Sequence, residues 1–282
     1  MAIEDQHCVR QPPGFTLVEM LVSLAITMLI LVLGFTVCHH TLEVWNGGRQ
    51  MLEKNAEARV AFDELASDLQ MMLFRQTEAQ WFALTYDGSI GDGGKQKLSR
   101  MPWLKFTAMP SGAARTISYR MAWQDPIVRE GKFPVFGLYR FSGSVSGLFP
   151  GEDDDPNESP RKIADRYWEE QEERLTSPLS LVTMHAVDFD IVVWYRQGTR
   201  SRQVPGGTSV RVIGSRVETS PPVAGFDHIS QLEAIGVSVT SLSKEGATLL
   251  RAGGIPLKEV IREHGQHFAT KVEVHPGGGG LP

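Results

Sequence analysis

The dominant feature of the hydropathy pattern is an apolar run over residues 15–38, in which Glu19 is the only charged residue. A helix of this length measures about 36 Å at ~1.5 Å per residue, enough to cross a bilayer core of about 30 Å. Its apolar residues lie on every side, whereas a helix in the core of a soluble domain normally keeps a polar face. We therefore predict a transmembrane helix over 15–38, and a buried helix of a soluble core is the alternative.

An amphipathic helix is predicted over residues 39–76, where the apolar residues follow one face of a 3.6-residue period. The members of this face are Phe62, Leu65, Ala66, Leu69, Met72 and Leu73. We expect the face to pack on a domain, with Glu64 and Asp68 among the residues in solvent. Gly47 and Gly48 predict a bend or a melted turn, since each glycine costs about 1 kcal/mol in a helix.

The head, residues 77–275, is predicted to consist of short strands separated by Gly- and Pro-rich turns. The predicted strands cover residues 103–109, 116–124, 133–142, 181–196 and 229–242. Each shows apolar residues in alternation or a short apolar run. A helix followed by strands predicts an α+β fold, in which an antiparallel sheet packs against the 39–76 helix.

Residues 143–178 are predicted to be an acidic insertion in this head, with a heavily charged helix over 161–175. Asp153, Asp154 and Asp155 are weak candidates for calcium ligands. Their spacing lacks the alternating oxygens and the turn glycine of a calcium loop. We therefore predict a solvated acidic loop and no metal site.

Three further features near the carboxyl end are predicted to be structural. Residues 198–222 are basic and turn-rich, and predict a long hairpin or an exposed loop that could meet an acidic partner. His264 and His267 are predicted on one helix, with His275 beyond it, but no acidic or cysteine residue completes a metal site. The glycine-rich tail, 276–282, is predicted to be flexible.

The composition narrows the function classes. The chain has 282 residues, of which 41% are hydrophobic, and a formal net charge of −5. Such a chain can bury a core, and its charge provides no basic field for nucleic acid. Two cysteines exclude a disulfide-rich scaffold, and the chain has no P-loop, Gly-x-Ser-x-Gly or His-Glu-x-x-His motif. We predict a protein that is not an enzyme and needs no cofactor.

The residues before the apolar run form a short polar leader, 1–14. Pro12 and Pro13 prevent an earlier helix start, and Gly14 leaves the adjacent backbone accessible. A secretory signal has a basic first segment and a small-residue cleavage site, whereas this leader has one base, Arg10, and no such site follows the run. We therefore expect the apolar helix to persist in the mature protein.

Glu19 is the candidate functional residue of the apolar helix. A lone carboxylate costs several kcal/mol when it is buried unpaired in lipid, so its presence points to a function. The alternative is that Glu19 lies near the interface and extends its carboxylate into water.

The sequence GFTLVE at residues 14–19, followed by the apolar run, resembles the processing site of the type IV pilin and type II secretion pseudopilin superfamily. The resemblance implies that a membrane peptidase, the prepilin peptidase, cleaves after Gly14 and methylates the new amino group of Phe15. It also implies that Glu19 is the assembly carboxylate. In a fibre of packed helices, Glu19 can face the amino group of Phe15 in the neighbouring subunit, so that two charges that are costly in lipid form a pair. The single Arg10 is fewer bases than family leaders usually carry.

Cleavage after Gly14 would leave Cys38 as the only cysteine, at the edge of the membrane, because Cys8 lies in the leader. No intramolecular disulfide is then possible. For Cys38 we predict a small apolar side chain in a helix, with a reactive thiol as the alternative.

A finer resemblance concerns the head. RVAFDELASDL at 59–69, the strand that contains Tyr119, and LYR at 138–140 resemble the minor pseudopilin J class of type II secretion. The prepilin-like group known as Verru_Chthon cassette protein C is a second candidate of comparable weight.

These resemblances imply a minor pilin or pseudopilin, a structural subunit of a type II secretion pseudopilus or a type IV pilus-like filament. The implied partners are other pilin or pseudopilin subunits, the prepilin peptidase and the inner-membrane assembly platform. The implied location is the bacterial inner membrane, crossed once by residues 15–38, with the head in the periplasm or in a filament. One alternative is a single-span, membrane-anchored periplasmic binding module that does not polymerise. Another is a membrane-tethered hydrolase, which no group of residues supports.

Overall fold

The computed structural model describes residues 16–75, 77–91, 97–125, 134–149, 155, 158–175 and 177–274. By internal contacts the chain divides into two compact units, Met1–Glu53 and Lys54–Pro282. One 54-residue helix, α1 (Leu17–Gln70), begins in the first unit and ends in the second.

The backbone of α1 is helical throughout its length, including Gly47 and Gly48. The predicted melted turn at these glycines is therefore wrong, because the flanking helix carries the backbone through them. After Gln70 the chain leaves the helix and pairs with a strand, where the Leu73 N–H donates to the Thr107 carbonyl at 2.8 Å. The prediction of helix at Leu73 is therefore also wrong.

The described part of the chain contains eleven strands, all paired antiparallel. They are β1 (Gln80–Gly91), β2 (Lys97–Ala108), β3 (Arg115–Gln124), β4 (Val135–Ser144), β5 (Leu181–Met184), β6 (Ala186–Gln197), β7 (Arg200–Gln203), β8 (Ser209–Ile213), β9 (Arg216–Ser220), β10 (Leu232–Leu242) and β11 (Gly265–Glu273). One sheet has the order β5-β4-β3-β2-β1-β8-β9, and the other has the order β11-β10-β6-β7. A long helix followed by antiparallel sheets confirms the predicted α+β class.

The single strand predicted over 181–196 is wrong in one respect. The extended conformation is interrupted at His185, whose φ of 61° lies in the left-handed region. This residue ends β5, which belongs to the seven-stranded sheet, and precedes β6, which belongs to the four-stranded sheet. A non-glycine residue with positive φ is uncommon, so the sequence does not predict this interruption of the strand.

Four shorter helices complete the described fold. They are α2 (Pro160–Glu170), α3 (Glu172–Leu175), α4 (Lys244–Ala252) and α5 (Leu257–His264). The helix predicted over 161–175 is present, although it is divided at Gln171. Its inner side is apolar rather than solvated, because Tyr167 and Trp168 pack with Phe141 of β4 and Leu148 in a second hydrophobic core.

The main core lies between the two sheets and the carboxyl-terminal part of α1. Leu65 and Leu69 of α1 are fully buried, as the amphipathic spacing predicts. They pack with apolar residues of both sheets, and the Phe62 ring lies 6.3 Å from the ring of Phe268 on β11. Asp68, which we expected in solvent, is only 3% exposed.

Two further predictions concern the carboxyl-terminal part of the head. Residues 198–222 contain β7 and the hairpin formed by β8 and β9, which extends the larger sheet beyond β1. His264 ends α5, but His267 lies on β11, so the predicted common helix is wrong.

Candidate functional site

The first turn of α1 is held by three reciprocal hydrogen bonds between Thr16 and Glu19. The backbone N–H of Thr16 donates to Oε2 of Glu19 at 3.0 Å, and the Thr16 hydroxyl donates to the same oxygen at 3.1 Å. In return, the backbone N–H of Glu19 donates to Oγ1 of Thr16 at 3.3 Å. This arrangement is a capping box, in which Thr16 is the N-cap and Glu19 is the third helical residue.

The capping box gives Glu19 a defined position. A carboxylate in the first turn also interacts favourably with the partial positive charge of the helix amino terminus. Its second oxygen, Oε1, accepts no hydrogen bond from any residue that the structure describes. One oxygen is therefore used within the helix, and the other is open to a donor from another molecule.

The helix that follows is suited to lipid. The segment Leu17–Leu42, 26 residues long, is long and apolar enough to cross a membrane by length and composition, and none of its residues is buried. Its hydroxyl groups are satisfied within the helix: Ser23 donates to the Met20 carbonyl, and Thr27, Thr36 and Thr41 donate to the carbonyls four residues earlier. Such internal bonding removes most of the cost of a hydroxyl in hydrocarbon.

The other residues singled out in the sequence are not brought to this site. Gly14, Phe15, Asp153, Asp154 and His275 lie outside the described residues. Asp155 is exposed, and Cys38 is an exposed free cysteine on α1. In the described part of the chain, no group of three potential metal ligands occurs.

The sequence reasoning missed the role of Thr16. The signal was present, because a threonine three residues before a glutamate at the start of an apolar run is the signature of a capping box.

A second missed feature is a buried polar cluster that fastens α1 to the larger sheet, formed by Asp68, Tyr119 and Arg140. The Tyr119 hydroxyl donates to Oδ2 of Asp68 at 2.7 Å. Arg140 donates from Nε to Oδ2 at 2.7 Å and from Nη2 to Oδ1 at 3.1 Å. Tyr119 and Arg140 are directly opposite each other on β3 and β4, so both reach the same carboxylate.

The electrostatics of this cluster keep Tyr119 neutral and Arg140 charged. Burial, together with the adjacent Asp68 carboxylate, raises the pKa of Tyr119 far above its usual value. For Arg140 burial is the largest single effect and lowers the pKa, but the hydrogen bonds to Asp68 together with the charges of Asp68 and Glu64 and the interaction with Tyr119 raise the pKa overall. Glu64 adds a further contact to Arg140 Nε at 3.2 Å. The cluster is suited to fixing a helix on a sheet.

Comparison with known proteins assigns the amino-terminal segment. Residues 13–35 match the family model for the prokaryotic N-terminal methylation motif. No curated protein and no solved structure gives a significant match. The chain therefore carries a prepilin-type methylation motif on an apolar amino-terminal helix, a combination that supports a pilin-type precursor of the type IV pilin and pseudopilin superfamily.

Proposed function

We propose that the chain is a minor pilin or pseudopilin, cleaved after Gly14 by a prepilin peptidase and incorporated as a structural subunit into a pilus-like filament. The observation that carries the proposal is the methylation motif over residues 13–35, continued by the apolar helix. The role is structural rather than catalytic.

The geometry of Glu19 supplies a physical reason for assembly. Cleavage after Gly14 would place a charged amino group on Phe15, immediately before the N-cap residue Thr16. A carboxylate and an ammonium group are each costly in lipid, and pairing between neighbouring subunits offsets both costs. Oε1 of Glu19 is the oxygen available for this pair, since Oε2 already accepts from Thr16.

The proposal includes a location and a set of partners. The apolar helix would cross the bacterial inner membrane once, and the head would lie in the periplasm. Its partners would be other pilin or pseudopilin subunits, the prepilin peptidase and the assembly platform of a type II secretion system or a type IV pilus.

The test is the fraction of the chain that enters sheared filaments when the other subunits and the platform are present. We expect Glu19→Ala to insert into the membrane like the wild type and to be absent from the filament fraction. Ser23→Ala, one turn further along the same helix, is the matched control and should be incorporated normally. Equal incorporation of the Glu19→Ala chain would overturn the proposed role of this carboxylate.

The second candidate is a single-span, membrane-anchored periplasmic binding module that does not polymerise. The observation in its favour is the capping box, because Thr16 satisfies one oxygen of Glu19 without a neighbouring subunit. Such a module would be unaffected by Glu19→Ala and would not enter filaments under any condition.

A further inference from the structure

The four-stranded sheet carries acidic residues at one end of β6 and arginines at the other end, around the β6–β7 turn. Residues of β6 alternate between the two faces, and the buried set is Val187, Phe189, Ile191, Val193 and Tyr195. The opposite face carries Asp188, Asp190, Val192, Trp194 and Arg196. Eight residues separate Asp188 from Arg196, so these two ends lie about 26 Å apart at ~3.3 Å per residue.

The acidic end contains Asp188 and Asp190, which are exposed and lie on the same face two residues apart. Neither carboxylate forms a salt bridge with a residue that the structure describes. Desolvation and the negative charge of Asp190 raise the pKa of Asp188, and His267 opposes this effect only in part. Two neighbouring carboxylates without a cation form a site that favours an incoming positive charge.

Small residues flank the acidic end on the next strand. Asp190 is opposite Ser238 on β10, and Asp188 is opposite Thr240. On β11, Ala269 continues the same row beyond Ser238. The surface is therefore low beside Asp190, where a long side chain from outside can reach the carboxylate. Beside Asp188 the row continues from Thr240 to His267 of β11, whose Nδ1 lies 3.2 Å from Thr240 Oγ1.

The basic end is the tip of the β6–β7 hairpin. Arg196, Arg200 and Arg202 are exposed within seven residues of sequence, around the turn at Gly198. Arg196 shares the face of Asp188 and Asp190, whereas Arg200 and Arg202 pair with Gln197 and Tyr195 and lie on the other face of the hairpin. Arg196 has one weak contact, with Glu233 at 3.7 Å. Within the described part of the chain, Arg200 and Arg202 have no ion pair or hydrogen bond through their guanidinium groups. Arginine pairs with carboxylates in a bidentate geometry, so this tip complements the acidic end.

Trp194 adds an aromatic surface between the two ends. Its ring lies across Gly236 of β10, where any added Cβ would collide with the ring. The ammonium group of Lys271 lies 4.9 Å from the ring centroid, so this ring already accepts a cation.

We propose that heads of this chain bind one another head to tail, with the arginine hairpin of one copy on the Asp188–Asp190 face of the next. Both surfaces are present on every copy and lie apart, so the contact is heterologous and can repeat along an open chain. The inference goes beyond the proposed function, because it requires at least two adjacent copies of this chain. It is independent of cleavage after Gly14, and the two can fail separately.

The test uses reciprocal charge reversal in the full chain, purified in detergent micelles and examined by sedimentation velocity. The acid-reversed variant is Asp188→Lys with Asp190→Lys, and the base-reversed variant is Arg200→Glu with Arg202→Glu. Each variant alone carries charges of the same sign on both surfaces and should lose self-association. Its dissociation constant should rise at least about tenfold, which corresponds to a loss of ~1.4 kcal/mol. Mixed together they again present opposite charges, and association should return as an alternating complex.

Controls separate this contact from general charge effects and from misfolding. Glu259→Lys with Glu263→Lys on α5 makes the same change in net charge at other exposed carboxylates and should leave association unchanged. Circular dichroism must show wild-type folding of each variant, and Asp188→Asn with Asp190→Asn is the milder substitute for a variant that misfolds. A wild-type chain that remains monomeric, or variants that associate alone, or a mixture that does not restore association, would overturn the proposal.

Discussion

Asp68 near the end of α1 accepts a bidentate pair of hydrogen bonds from Arg140 of β4, at 2.7 and 3.1 Å, although only 3% of Asp68 is exposed. The last turns of α1, which belong to the same unit as the sheets, are thus fixed to the larger sheet by a buried ion pair as well as by apolar packing. Removal of one member of such a pair leaves the other charge buried without a partner, which is costly.

We expect Asp68→Ala to lower the free energy of unfolding of the head by about 3–5 kcal/mol, because Arg140 and Tyr119 both lose their acceptor. Denaturant unfolding in micelles measures the loss. Asp63→Ala removes an exposed carboxylate from the same helix and should change the free energy by less than about 0.5 kcal/mol. Similar values for the two variants would show that the buried pair does not hold the helix.

The same cluster predicts a loss of stability in alkali. The pKa of Tyr119 is raised in the folded head, whereas an unfolded tyrosine releases its proton near pH 10. Stability from this group is therefore complete below about pH 10 and declines as the pH rises, by up to about 1.4 kcal/mol per pH unit.

Tyr119→Phe isolates this contribution. Between about pH 9 and 11, around the ordinary tyrosine pKa, the free energy of unfolding of the variant should fall less with pH than that of the wild type. A residual decline is expected, because burial also raises the pKa values of Tyr86, Tyr139 and Tyr167. Identical pH dependence in the two chains would contradict the assignment.

The second hydrophobic core predicts that α2 is an integral part of the head. Trp168 is 2% exposed and lies edge-to-face against both Trp103 and Phe141. Trp168→Ala should lower the free energy of unfolding by about 3–5 kcal/mol, as for other buried aromatic residues. Glu169→Ala, at the exposed neighbouring residue, is the control. Equally small losses of free energy of unfolding in the two variants would indicate that α2 is only loosely attached.

The capping box predicts a difference between two substitutions at Thr16. Thr16→Val removes the hydroxyl and should destabilise the first turn by about 1 kcal/mol, whereas Thr16→Ser keeps the bonds to Glu19. Amide hydrogen exchange at residues 17–20 in micelles reports the difference. Equal exchange in the valine and serine variants would mean that the cap does not form in solution.

The sequence predicts those elements whose hydrophobic pattern is set by their own residues and their immediate surroundings. The apolar run over 15–38 predicts the first part of α1, and the alternation at 116–124 predicts β3 almost to the residue. These signals are local, because lipid requires a continuous apolar run and a strand in a sheet follows a period of two residues.

Features that depend on distant partners could not be predicted in this way. Asp68 lies beside the apolar stripe and reads as a solvent-facing carboxylate until Tyr119 and Arg140 are brought to it by the sheet. Tyr167 and Trp168 stand among charged residues, and only the packing of α2 shows that they are buried. The turn at His185 depends on the junction of two sheets rather than on a turn-forming residue.

The most direct test of the central claim is the intact mass of the chain extracted from membranes, with and without a co-expressed prepilin peptidase. We predict a peptidase-dependent product that begins at Phe15 and carries one added methyl group. A full-length product that the peptidase leaves unchanged would contradict the assignment of a pilin-type precursor.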